Sequence, residues 1–194
     1  MSPRTESQYE VIRETSINKI LDASLELFAV HGYEATSISK IASKAGVSKG
    51  LIYNYFDSKI DLLKAMLGRL GQGESEIMAE VLDENPAKML RNILTLVFRE
   101  FREHMEMWKM ILSVSLQVEK FDFVHKYTVD KMQNYYDLFE DLLKKTGYPN
   151  PAEEAKLLTA LFDGIGLHYL IAKEDYPLDQ IEKFLIEKYC NHEH

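Results

Sequence analysis

The chain is expected to fold entirely as α-helices, with a short helix-turn-helix near its N-terminus and a larger helical body behind it. Three observations carry this. Apolar residues recur at i, i+3, i+4 and i+7, the period of one helix face, through most of the sequence. No stretch alternates apolar and polar residues as a half-buried strand does. Helix punctuation falls between the periodic runs: Asn85-Pro86 and Asn150-Pro151 at starts, Gly32 and Gly147 at stops.

Residues 1 to about 9 are polar and read as a frayed end. Arg4 could reach a minor groove as an arm, although a solvated tail is the plainer reading. The first helix then runs to about His31, with Ile17, Ile20, Leu21, Ser24, Leu27 and Phe28 along one stripe. Its role is to scaffold the two short helices that come after it.

The stretch from Thr36 to Lys59 carries the chemistry. Ile38, Ile41, Ala42 and Ala45 share one face of a short helix, and Gly46 supplies the left-handed backbone of a sharp turn. Ser48 opens a second helix, Lys49 to Phe56, in which Leu51 or Ile52, with Phe56, points inward. Lys49, Tyr53, Asn54 and Tyr55 are left to the other side. Two helices joined this way form a helix-turn-helix, whose second member enters the DNA major groove. Glycine-turn helix pairs also occur in proteins that never touch DNA, so the outer face decides. There Lys40, Lys44, Lys49 and Lys59 stand against Asp57 alone, among hydroxyl and amide side chains suited to phosphates and base edges.

The run from Ile17 to Leu63 closely resembles the DNA-binding domain of the TetR (tetracycline-repressor-like) family. The matching elements are Ala23, Leu27-Phe28, Gly32, Thr36, Ile41-Ala42, Ala45-Gly46-Val47-Ser48, Lys49-Gly50, Tyr53, Tyr55-Phe56, Lys59 and Leu62. With the residue chemistry, the resemblance implies a DNA-contact set of Thr36, Ser37, Ser48, Lys49, Gly50, Tyr53, Asn54, Tyr55 and Lys59. Asn54 is the base reader, because its amide can bond adenine bidentately. Tyr53, Tyr55, Lys59 and Thr36 are expected on phosphates.

Residues 1–60 are assigned to this DNA-binding domain and 61–194 to a ligand-binding and dimerisation domain. A helix opening at Ser58, boxed by Asp61, leads from one to the other. Gly68, Gly71 and Gly73 crowd that helix and predict a kink or break near 71–73, at the junction. Later helices are expected at Glu74 to about Asp83, Pro86–Glu103, about Met105–Glu119, Phe121–Lys145, Pro151 to about Lys173, and Pro177 to about Tyr189. The one from Met105 is apolar almost all round and is expected to be buried.

In the body, methionines and aromatics fall on neighbouring helices: Phe98, Phe101, Met105, Trp108, Met110, Tyr135, Tyr136 and Phe139. Such residues line adaptable pockets, and they also make ordinary core. The resemblance favours the first reading, a small apolar or amphipathic effector. The last two helices carry apolar residues on more than one face, and Gly164 and Gly166 allow close helix approach. The resemblance implies a homodimer here, through Leu158, Leu161, Phe162, Ile165, Tyr169, Ile181, Phe184 and Leu185.

The formal charge of −8 over 194 residues argues against DNA only until it is mapped. Residues 1–60 hold seven basic and seven acidic side chains, so the whole deficit lies in the body. One cysteine, Cys190, excludes an internal disulfide, and no signal peptide is expected from the polar N-terminus. No window suggests a membrane span, and a cytoplasmic protein is expected. The six histidines show no metal-binding spacing, and no P-loop or GxGxxG occurs, so neither catalysis, cofactor nor metal is expected. His192-Glu193-His194 beside Cys190 reads as an acidic tail rather than a metal site, and His168 as an interface residue. A regulator, most simply a repressor freed from its operator by the effector, is therefore weighed against a helical small-molecule-binding protein that does not read DNA.

Overall fold

The computed structural model describes residues 6–116 and 121–190. Its regular elements are helical throughout: α1 (Glu6–His31), α2 (Ile38–Ala45), α3 (Lys49–Tyr55), α4 (Lys59–Glu80), α5 (Pro86–Glu103), α6 (Met105–Ser115), α7 (Asp122–Lys145), α8 (Pro151–Ala172) and α9 (Leu178–Cys190). A 3-10 turn, Lys173–Asp175, links the last two. Arg4, the expected helix end at about Glu119, and the tail from His192 to His194 lie outside the described residues. The chain divides into two compact units, Met1–Glu74 and Ser75–His194.

In the first unit α1 packs on α2 and α2 on α3, and Ile20, Leu21, Ala23 and Phe28 of α1, Ile41 and Ala42 of α2 and Ile52 of α3 are all buried. Burying each of the larger side chains is worth about 1.5–3 kcal/mol, enough to hold helices too short to persist alone. Gly32, at φ +80°, ends α1 by closing its N–H onto the Phe28 carbonyl at 2.9 Å. Helix α1 starts earlier than expected: residues 6–9 are helical, not frayed, although Tyr9 and Ile12 remain exposed.

Two expectations are corrected along α4, the break near 71–73 and the separate helix from Glu74. The helix is unbroken from Lys59 to Glu80, through all three glycines. Each glycine costs about 1 kcal/mol against alanine. Burial of Leu62, Leu63, Met66 and Leu67 before them, and of Ile77 and Met78 partly after, outweighs that. At its start, Ser58 Oγ accepts from the Asp61 N–H at 3.1 Å, as a capping box requires. The Asp61 carboxylate returns to the Ser58 hydroxyl at 2.7 Å rather than to its backbone.

The second unit is a bundle in which α7 lies on α8 and α5 on α9. Leu90, Leu94, Phe98, Phe139, Leu143 and Leu158 are fully buried at its centre. Asn85 caps α5, its side-chain oxygen accepting from Ala87 and Lys88 N–H groups at 3.0 and 3.1 Å. Asn150 precedes α8 with left-handed backbone, φ +50°, and makes no side-chain cap. Polar ties close the bundle's ends: Arg102 on α5 bonds Asp179 at 2.6 Å and also Glu182, and the Tyr189 hydroxyl donates to Glu154 at 2.9 Å.

Helix α6 departs from the expectation of burial. Only Met110 is fully covered among its described side chains, and Trp108 is half-buried. It packs on α5, α7 and α8, and most of its described side chains are half-buried rather than covered. Its tightest contact is with Gly166 of α8, where an added Cβ would come within 2.6 Å of the Trp108 ring and 2.8 Å of Phe101. Gly166 therefore seats an indole of its own chain, while nothing lies within 4 Å of a Cβ at Gly164. Changing Gly166 to Ala should cost about 1–3 kcal/mol of stability by overpacking. Denaturant unfolding measures this, and emission from Trp108 should shift in the folded variant.

Candidate nucleic-acid interface

The turn between α2 and α3 is built as the sequence requires. Gly46 adopts φ 67°, ψ 32°, and Val47 N–H reaches back to the Ala42 carbonyl at 3.0 Å. Ser37 and Ser48 cap α2 and α3, accepting from Lys40 and Leu51 N–H groups at 3.2 and 3.1 Å. Both serines stay exposed, and each hydroxyl keeps its proton free to donate outward.

Helix α3 is divided by burial. Ile52 is fully buried and Phe56, just past its end, nearly so. Lys49, Gly50, Asn54 and Tyr53 are exposed, Tyr53 by 46%. The Lys49 amine lies 5.8 Å from the Tyr53 ring centre, which holds the charge over the outer face. Tyr55 is half-buried, its ring covered at 5.9 Å by the Arg13 guanidinium from α1. Arg13 was not legible as part of this surface, because 42 residues separate it from Tyr55 and no local pattern joins them.

The basic window is less free than its composition implied. Lys44 pairs with Glu26 at 2.6 Å, and the Lys40 amine bonds the Ala35 carbonyl at 3.2 Å. Of the four lysines, Lys49 is the one with no oxygen partner among the described residues.

Two expected phosphate ligands turn inward. Thr36 is 1% exposed, and its hydroxyl donates to the carbonyls of Gly32 at 2.9 Å and Leu27 at 3.2 Å. It fastens the α1–α2 corner. The Lys59 amine donates to the carbonyls of Tyr33 at 2.7 Å and Thr36 at 2.9 Å, 4.1 Å from the Tyr33 ring centre. Burial lowers its pKa, against the opposing pull of Glu34. Neither group is directed at a ligand.

In the body, the eight residues expected at an effector divide by burial. Phe98, Phe101, Met110 and Phe139 are core, while Met105, Trp108, Tyr135 and Tyr136 are half-buried. Phe101 stands edge-on to both Phe98 and Trp108, with ring centres 6.1 and 5.9 Å apart. Two surface clefts lie elsewhere, one against Tyr148 and Tyr189, the other against Arg91 and Glu182.

The expected dimer residues also divide. Leu158, Phe162, Ile165 and Leu185 face the core of their own bundle, Leu161, Tyr169 and Ile181 are half-buried, and Phe184 is exposed. The outward apolar side chains of α8 and α9 are Leu157, Leu167, Ile171 and Phe184, between 41% and 72% exposed. His168 is exposed beside them, edge-on to Tyr176 at 5.9 Å. Within Pro151–Asp175, an 18-residue window with at most two charged side chains reaches a mean hydropathy of 1.3, enough to cross a membrane by length and composition alone. Its inward face nonetheless forms bundle core with α7.

The model of the bacterial regulatory proteins of the tetR family matches residues 20–66, which contain the whole helix-turn-helix. The HTH-type transcriptional regulators YuxN and YvkB of Bacillus subtilis are each 30% identical over 159 residues, 78% of this chain. The match spans about half of YuxN, 52%, and 82% of YvkB. This chain belongs to the TetR family. It is a DNA-binding transcriptional regulator rather than an enzyme. A TetR-family regulator from Agrobacterium tumefaciens has the same fold, with a TM-score of 0.78 over 92% of this chain and 99% of that one at 16% identity.

With Lys49 the one of the basic window's four lysines that has no oxygen partner among the described residues, Lys49 to Ala should weaken binding to all duplexes alike. The slope of log affinity against log salt should fall by about one. Asn54 to Ala should instead cost about 1–3 kcal/mol on the preferred sequence and little on others. Fluorescence anisotropy over a salt series separates the two.

Proposed function

We propose that the chain is a homodimeric repressor that reads a near-palindromic operator with α3 and leaves it when a small apolar or amphipathic molecule binds the helical body. One observation carries the DNA part: the face of α3 opposite buried Ile52 offers Lys49, Tyr53 and Asn54 to solvent on a capped helix-turn-helix. Asn54 would read a base edge, and Ser37, Ser48, Lys49, Gly50, Tyr53 and Tyr55 would hold phosphates. The first unit then serves DNA and the second serves effector and partner subunit. Such a regulator works where the chromosome is, in the cytoplasm.

Dimerisation is supported by the outward apolar residues of α8 and α9, which no element of the described chain covers. A twofold pair would set two α3 helices near one DNA turn apart, roughly 34–36 Å. Replacing Leu157 and Ile171 by Glu should yield a folded monomer with weakened operator binding, read by analytical ultracentrifugation. The same change at core residue Leu158 should unfold the chain instead. A wild-type chain that stays monomeric while binding its operator would exclude the dimer.

For the effector, Met105, Trp108, Tyr135 and Tyr136 are the members of the aromatic cluster within reach of solvent. A ligand releases DNA only by preferring the arrangement that binds DNA poorly, and tenfold release needs about 1.4 kcal/mol of such preference. Trp108 is the sole tryptophan, so its emission reports this region directly. Titration with saturated fatty acids and quaternary amines should perturb that emission and free operator DNA over one concentration range. Emission and operator binding both unmoved would leave the body as a dimerisation scaffold.

A further inference from the structure

The Lys59 ammonium has three N–H donors and no acceptor. It meets three carbonyl oxygens, those of Tyr33 at 2.7 Å, Thr36 at 2.9 Å and Glu34 at 3.5 Å, and the face of the Tyr33 ring at 4.1 Å. Carbonyl oxygens and an aromatic face are both electron-rich, and together they hold the ammonium of this half-buried side chain. The receiving end is itself fixed. Tyr33 is buried against Phe28, and Thr36 is anchored by the carbonyls of Leu27 and Gly32.

The position of these partners along the chain gives the contact its meaning. The carbonyls come directly before α2, and Lys59 comes directly after α3. The whole helix-turn-helix therefore lies inside a loop of chain that one side chain closes. Within it α3 has only seven residues, too few to hold a helix by its own hydrogen bonds. Its direction is set by the buried Ile52 and Phe56 on one side and by the two ends of the loop.

We infer that Lys59 is a positioning residue for DNA recognition, which fixes α2 and α3 between their own two ends and does not hold a phosphate. This rests on α3 as the DNA-contacting helix, but the clamp itself can be tested without DNA. Lys59→Met keeps an unbranched apolar stem one atom shorter and removes the donors. Against an operator duplex selected by the wild-type protein, K59M should lose about tenfold in affinity, the scale of a lost charge-assisted contact. The salt slope should stay at the wild-type value. A slope reduced by about one would identify Lys59 as a phosphate ligand and overturn the inference.

In the DNA-free protein, K59M should speed amide exchange in α2 and α3, and unchanged exchange there would also overturn it. The wild-type chain supplies a measurement that does not depend on the variant's folding. The ¹⁵N resonance of a lysine ammonium held by carbonyls is slow to exchange with water. That of Lys59 should be visible and should stay unshifted when duplex is added. A solvent-averaged signal, or one that moves on addition of DNA, counts against the clamp. A wild-type chain that selects no duplex would defeat the reading of α3, while these DNA-free measurements would still decide the role of Lys59.

Discussion

Ile20, Ile41 and Ile52 come one each from α1, α2 and α3, and all three are fully removed from solvent. This seam is the constraint on which the rest depends. A helix of seven or eight residues has no stability of its own, so α2 and α3 exist because their apolar edges are buried in the first unit. The same seam sets the rotation of α3 about its axis. Burying Ile52 leaves Lys49, Tyr53 and Asn54 with nowhere to go but out. Reading chemistry is thus fixed by a purely apolar contact on the opposite side, and a change at Ile41 would disturb recognition without touching a polar atom.

Local signals were legible wherever the cause was local. Gly46 announced its left-handed turn because no other residue takes that backbone without steric cost, and Asn85-Pro86 announced the start of α5. The helix periods placed nearly every element. What escaped was decided by residues far apart in sequence. Thr36 and Lys59 carry the right chemistry for a phosphate, but carbonyls at Leu27, Gly32 and Tyr33 reach them first. The partners of Lys44 and Tyr55 on α1, Glu26 and Arg13, follow no spacing rule.

The body shows the same limit in another form. Helix α8 is apolar on two faces, and periodicity alone cannot say which one turns inward. The packing puts Leu158, Phe162 and Ile165 inside and Leu157 and Ile171 outside, one residue's rotation from the expected set. Gly166 has the character of a site of approach between subunits, and it is instead the floor beneath Trp108. The glycine signal was sound, since something does come close. The sequence could not name what.

The glycines of α4 have a mechanical consequence. A methyl group added at Gly68 or Gly73 would meet nothing within 4 Å, so neither position lacks a side chain for want of room. The helix there is held by its backbone and by what is buried at either end. Each glycine lowers the local resistance to bending and opening by about 1 kcal/mol relative to alanine. The stiffness of this segment, where the division between the two units falls, is therefore adjustable in single-methyl steps. Those steps would leave every packed surface of the molecule as it is.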